Sequence, residues 1–288
     1  MELNPINNKG REMIQKSFLS LEKYLKGDLL TISGGLADGI ENLIKELMED
    51  LNKGVTQQKD KLFVVLTTTG GSLTPVQKMV QIFRHFYNEV NFIVPDYAYS
   101  AGTILCMSGD NIFMNYFSNL GPIDPQVQTK DGKFVSALGY LDKINEMLDK
   151  ANKKTLSQAE FLILKDFDLA ELRFYETAKE LAVDLLKDWL TKYKFKNWNN
   201  HSDGSLVTTN DKIKRAEEIA KTLSDNSKWK SHGRPISMEV LEKELKIKIY
   251  NFDSDPKLAK LIGDYYKMLK EYININKFGR FFQTRKFL

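Results

Sequence analysis

The residues whose types and spacing could do chemistry lie between Leu62 and Gln126. Leu62–Leu66 (LFVVL) is a continuous apolar, β-branched run, as expected of a strand buried on both faces. Gly70 and Gly71 follow it; paired glycines there let the backbone come close to a ligand and turn N–H groups outward. A second apolar run, Val90–Val94, precedes Ser100-Ala101-Gly102, which opens a small-residue helix. A serine at such a start sits at the positive end of the helix, and the N–H of the next residue points the same way. Two backbone donors and one hydroxyl meeting at the carboxyl ends of parallel strands are the parts of an acyl-transfer site. Each feature also has an ordinary explanation. A serine before a helix is commonly an N-cap, and Gly-Gly after a strand is a common turn.

Positioning these groups requires a layered α/β framework. Glu12–Leu25 has helical periodicity, Asp28–Ile32 reads as a short strand, and Ile40, Leu43, Ile44, Leu47 and Leu51 recur as on an amphipathic helix. Lys53–Asp60 is a polar loop, and Leu73, Val76, Met79, Val80, Phe83 and Phe86 line one helical face. Strand–helix–strand units repeated in this way predict right-handed βαβ crossovers and a mostly parallel sheet. Asp96–Gln126 is dense in small residues and turns. The character then changes. No glycine or proline occurs between Tyr140 and Asp203, which reads as an unbroken helical segment, and the apolar spacing from Leu169 to Trp189 predicts a long helix, read as projecting or as an interface. Lys196–Asn210 is a polar loop; Ile213–Leu223 and Met238–Leu245 read as helical, Ile247–Tyr250 as a strand, and a last helix runs to about Tyr272. The expected division is a βαβ core over 1–135 that carries the serine and a helical extension over 136–288, the two forming one continuous structural unit.

The strings YSAGT, GDNIFM and SNLGPIDPQ, set behind the strand and its TTTGG turn, resemble the serine dehydrogenase proteinase family, SppA-like members of the ClpP/crotonase superfold. LGPIDPQ following a SAGT serine is the most specific part, and SHGRPISMEVLEKE matches the family pattern again further on. The resemblance implies an α/β, ClpP/crotonase-like spiral of βαβ units with a long-helix extension and a helical C-terminal segment. It implies a serine peptidase with Ser100 as nucleophile, and with Gly71 and Ala101 at the oxyanion-hole N–H positions, Gly70 supporting their turn. The Clp-type histidine position falls on or beside Asp124, and the aspartate position on or beside His232. The two types would have exchanged places in a Ser100–His232–Asp124 constellation. The competing base, as in SppA-like enzymes, is a lysine from the following helices: Lys143, Lys150, Lys153, Lys154 or Lys165. Thr69 stands where relatives have proline before Gly-Gly, Gly233 where they often have an acid after the histidine, and Lys246 where a glycine commonly closes the next helix. A crotonase-type acyl-CoA enzyme and a catalytically silent scaffold are the alternative functions.

Composition narrows the rest. The chain has 288 residues, 42% hydrophobic and 28% charged, which suits a globular protein. One cysteine excludes a disulfide framework or a multi-cysteine zinc cluster and suits a reducing cytoplasm. Cys106 falls two turns into the serine helix, as a small buried residue. No run approaches the ~20 apolar residues of a membrane helix, and the first residues lack a secretory apolar core. The net charge of +4 is carried by Lys277, Arg280, Arg285 and Lys286, so the preceding body is formally neutral and offers no basic face for nucleic acid. That tail also holds Phe278, Phe281, Phe282 and Phe287. It is expected to pack on a neighbouring subunit or to dock peripherally on a membrane or acidic partner. No metal or cofactor is expected, no Walker string is present, and a homo-oligomer acting on a peptide or protein substrate is.

Overall fold

The computed structural model of the chain describes residues 5–55, 59–128, 134–166 and 169–288. Part of the polar loop expected at Lys53–Asp60 lies outside them. The first half contains α1 (Pro5–Leu25), β1 (Asp28–Gly34), α2 (Ile40–Asn52), β2 (Lys61–Thr67), α3 (Leu73–Phe86) and β3 (Glu89–Ile93). The small-residue region contains β4 (Tyr97–Ala98), α4 (Ala101–Met107), β5 (Asn111–Met114), β6 (Asn119–Leu120), β7 (Gln126–Gln128) and β8 (Phe134–Ser136). Then come α5 (Ala137–Asn152), α6 (Gln158–Lys165), α7 (Leu169–Trp189), α8 (Thr209–Ser224) and α9 (Asn226–Trp229). The chain ends with β9 (Ile236–Ser237), α10 (Met238–Lys243), β10 (Tyr250–Asn251), α11 (Pro256–Asn276) and β11 (Arg280–Gln283).

The main sheet has the order β10-β5-β3-β2-β1-β11, parallel throughout except for β11, which pairs antiparallel with β1. Alternating side chains of each central strand enter different cores. Leu62, Val64 and Leu66 of β2 face the core beneath α2, α3, α4, α7 and α8; Phe63 and Val65 face the one beneath α1 and α11. Because both faces are covered, β2 is apolar without polar interruption. Each of these side chains, fully buried, contributes roughly 1.5–3 kcal/mol. Strands β9, β10 and β11 of the later half pair with β6, β5 and β1 of the earlier half.

Two expectations are corrected. The glycine-free segment 140–203 is not one unbroken helical stretch. It divides into α5, α6 and α7, with Ser157 forming a capping box with Glu160 that starts α6. Ser157 and the residues just before it supply polar groups that satisfy the backbone locally, so no glycine or proline is needed for the break. Nor does α7 project. Its Ala182, Leu186 and Trp189 are buried in the larger core, and it packs on α4 and α8.

The basic tail is likewise not a free arm. Its β11 is an edge strand of the main sheet, with Phe281, Gln283 and Thr284 buried. Arg285 pairs with the buried carboxylates of Asp28 and Glu22, and Lys59 bridges to Asp28 at 3.0 Å. Arg285 therefore neutralises charge within its own chain, while Lys277, Arg280 and Lys286 remain exposed.

Candidate active site

A second, three-stranded sheet of order β4-β6-β9 assembles the site. Its register sets Tyr97 opposite Asn119 and Ala98 opposite Leu120 in parallel, then Leu120 opposite Ile236 in antiparallel. Ser100 lies just beyond β4, Asp124 just beyond β6 and His232 just before β9. Because β9 runs opposite to the other two, all three residues emerge at the same end of this small layer. That is how positions far apart in the chain converge.

Ser100 has φ 53 and ψ −120, outside the ordinary region for a side-chain-bearing residue, and its hydroxyl does not cap α4. A non-glycine residue held there costs on the order of 1–3 kcal/mol and persists only where its surroundings enforce it. Here they do. Thr68 N–H donates to Tyr97 O at 3.1 Å and Tyr99 N–H donates to Thr68 O at 2.9 Å, tying β2 to β4. Thr103 Oγ1 bonds to Ala98 O at 2.8 Å and to Gly121 O at 2.9 Å, locking the serine helix to both β4 and the segment beyond β6. A Cβ on Gly102 would meet Thr68 Cγ2 at 2.4 Å, so the glycine of the SAGT string is a packing requirement.

The glycine turn is equally constrained. Gly70 N–H donates to Thr68 Oγ1 at 3.0 Å, which commits that donor to the turn. Gly70 has φ +101, and a Cβ there would lie 2.8 Å from Ser100 Cβ, so the loop passes directly against the serine. Gly71 sits opposite Leu36 in a parallel bridge whose hydrogen bonds are Leu36 N–H to Gly70 O (2.9 Å) and Ser72 N–H to Leu36 O (2.8 Å). The Gly71 N–H takes no part in that bridge, and Ala101, as the first residue of α4, has no acceptor one turn back. Gly71 and Ala101 border one cavity of about 560 Å³ together with Ser100 and His232.

His232 occupies a turn and closes that cavity. Its Nδ1 lies 2.9 Å from Asp124 Oδ1, and the Asp124 carboxylate is almost fully buried at 1% exposure. Asp124 Oδ2 has no hydrogen-bond partner among the described residues, so His232 is the principal group answering a buried carboxylate. No hydrogen bond joins Ser100 to His232 among the described residues; the two share the cavity without touching. The wall opposite them comes from α7, through Phe174, Tyr175, Ala178 and Leu181, with Ile104 and Ile123 at the base. This wall was not anticipated, because the α7 pattern reads equally well as an interface.

None of the candidate lysines lines the cavity. Lys143 pairs with Glu146 at 2.9 Å, Lys150 pairs with Glu146 and Glu160, and Lys153, Lys154 and Lys165 are exposed. Cys106 is fully buried and burial pushes its thiol well up, which leaves it protonated. His85 is exposed on α3, and His201 faces Asp211 at 3.6 Å, away from the site. At Lys246 the chain adopts φ 51, a left-handed conformation that glycine takes more readily.

Residues 49–210, more than half of the chain, match the ClpP-like SDH-type serine proteinase family. The chain belongs to that family, and the parallel sheet with its helical C-terminal part is its ClpP-like fold. Two curated proteins of Methanocaldococcus jannaschii (strain ATCC 43067 / DSM 2661 / JAL-1 / JCM 10045 / NBRC 100440) are similar. The uncharacterized protein MJ0137 is 28% identical over 182 residues, covering 63% of this chain and 51% of that one. The uncharacterized protein MJ1495 is 25% identical over 195 residues, covering 68% and 54%. The chain thus spans about half the length of the curated relatives it matches. Among solved structures, a 1510-N membrane-bound stomatin-specific protease variant aligns over 80% of this chain and 81% of its own, at 12% identity and a TM-score of 0.46. A second variant of that protease, in complex with a substrate peptide, aligns over 76% and 72% at 13% identity and a TM-score of 0.45. Among the described residues no helix is long and apolar enough to cross a membrane.

Proposed function

We propose that this chain hydrolyses peptide bonds through an acyl-enzyme on Ser100. The observation that carries the reading is the His232–Asp124 contact at 2.9 Å, bordering the same cavity as Ser100. With the imidazole proton on Nδ1 facing Asp124, Nε2 is left unprotonated and able to take the Ser100 proton. Oγ then attacks the scissile carbonyl, and the N–H groups of Gly71 and Ala101 stabilise the oxyanion. His232 returns the proton to the departing amine as the C–N bond breaks. Water, deprotonated by the same imidazole, releases the acyl group and regenerates the serine. Asp124 orients the ring and stabilises its cationic form. One missing oxyanion donor costs about 10²–10³-fold in such sites.

The substrate is an extended peptide or protein segment lying beside Gly70-Gly71. Ile104, Ile123, Phe174 and Leu181 favour an apolar side chain in the cavity. Homo-oligomer formation belongs to the same proposal and rests on the consecutive exposed Phe161, Leu162 and Ile163 of α6. A monomer by light scattering at working concentration would count against it. A cytoplasmic setting, read from one buried cysteine, is proposed on the same footing. Ser100→Ala is expected to abolish both proteolysis and labelling by a serine-directed phosphonate; unchanged cleavage in that variant would overturn the reading.

A further inference from the structure

A second cavity, of about 660 Å³, opens at the other end of the main sheet. Glu89, Asn111 and Tyr250, the first residues of the adjacent strands β3, β5 and β10, form one side of it. Ser100 and the glycine turn lie past the opposite, carboxyl ends. The volume falls within the range of small-molecule sites.

Its charge is lopsided. Lys194, Lys196, Arg215, Lys246 and Lys248 line it against two carboxylates, Glu89 and Asp110, on a body that is formally neutral before the tail. Both carboxylates are already engaged. Glu89 pairs with Lys61 at 3.0 Å, and Asp110 pairs with Arg84 at 2.7 Å and with Lys196. Arg215 pairs with Glu218 at 2.6 Å, whereas Lys246 and Lys248 have no carboxylate partner among the described residues, the Lys248 ammonium lying 4.9 Å from the centre of the Tyr250 ring. Lys194 reaches only the carbonyl oxygen of Asp110 at 3.4 Å. Burial pushes the Lys194 amine down to about 8, and the charge of Lys248 pushes it the same way. Positive charge gathered with few matching carboxylates draws in an anion.

Apart from Asn197 the remaining lining is aromatic: Tyr193, which carries Arg84 over its ring, Phe195, Trp198, and Tyr250, which stacks on Phe113. Flat rings beside cations that have no carboxylate partner accept a planar heteroaromatic group together with its charged substituent. We propose that this cavity binds a phosphorylated heteroaromatic small molecule of the nucleotide class, with Lys246 and Lys248 meeting the phosphates and the rings receiving the base. An acidic peptide would satisfy the lysines and leave the aromatic lining without purpose, which is why the smaller ligand is favoured.

The test is calorimetric titration of the full chain with ADP, adenosine and inorganic pyrophosphate at fixed salt. ADP is expected to bind with a stoichiometry of one per chain. Adenosine and pyrophosphate should each bind at least ~10-fold more weakly, since each lacks half of the recognised chemistry. The double variant Lys246→Glu, Lys248→Glu should weaken ADP by at least ~10-fold without a change in melting temperature, because both side chains are exposed. Lys246→Gln with Lys248→Gln is the milder second variant and should fall between. Absence of saturable heat with ADP, equal affinity for pyrophosphate, or undiminished ADP binding in folded variants would each overturn the proposal.

Discussion

His232 Nδ1 meets Asp124 Oδ1 at 2.9 Å although 108 positions of chain separate them, and the carboxylate side of this pair is buried while the imidazole borders a cavity. A buried carboxylate without such a partner would be costly, so the pair holds the turn as well as the ring. Replacing Asp124 by Asn keeps the shape and removes the charge. It also offers an amide donor that favours the wrong tautomer. Peptide turnover is expected to fall by roughly 10²–10⁴-fold, with a small change in melting temperature. Turnover within a few-fold of the parent in a folded Asp124→Asn protein would remove Asp124 from the mechanism.

Gly71 is confined from outside the site. A methyl group there would stand 2.2 Å from Leu36 O at φ +151, forcing the Leu36–Gly71 bridge apart. Gly71→Ala is expected to cost about 2–4 kcal/mol and to suppress activity. Gly39→Ala is the contrast, since Gly39 has φ +93 with open space around it. There only backbone strain remains, about 1–2 kcal/mol, and activity should persist. Denaturant midpoints and turnover of both variants would separate strain from a specific loss of the oxyanion donor.

Arg285 tests the tail. Removing its guanidinium leaves Asp28 and Glu22 buried with Lys59 as the remaining cation. Arg285→Met is expected to destabilise the chain by roughly 2–4 kcal/mol, somewhat less than a fully orphaned pair would cost. Urea unfolding provides the check, and a loss below ~0.5 kcal/mol would mean that Lys59 suffices.

Lys194 gives a pH dependence with a definite sign. Its amine is lowered to about 8 in the folded chain and returns to an ordinary lysine value near 10.5 on unfolding. Between those values the unfolded state holds more protons, so this group's contribution to stability rises with pH from about 8 to about 10.5. Below pH 8 the folded state bears the full penalty. Lys194→Met should therefore be more stable than the parent near neutrality, by roughly 1–3 kcal/mol, with the gap closing as pH rises. A gap that stayed constant in thermal melts across that range would contradict it.

Much of the fold was legible because period and burial coincide. Leu62–Leu66 announced a strand covered on both faces, and Leu73 to Phe86 a helix with one apolar side. Ser100, Gly70 and Gly71 were visible through their spacing across two βα units. What escaped was carried by backbone pairing between distant segments. β4, β6 and β9 are two residues each, too short for any period to register, yet they bring Ser100, Asp124 and His232 together. The placement of α7 escaped for another reason. Its apolar stripe states that a face is covered, not what covers it, and Phe174 serves the cavity while Leu186 and Trp189 serve the core. The tail misled through composition alone. Bases among phenylalanines suggest a surface anchor, whereas Arg285 answers acids at the start of β1.

The same tail forms one border of the main sheet. A sheet ends where its outer strand leaves N–H and C=O groups unpaired, and such a border invites another strand. On one side the border is β10, only two residues long. On the other it is β11, where Lys277, Arg280 and Lys286 stand exposed within and beside the strand. Two molecules approaching border to border would set these like charges against one another. Lys277, Arg280 and Lys286 thus act as a fence against strand pairing at that border.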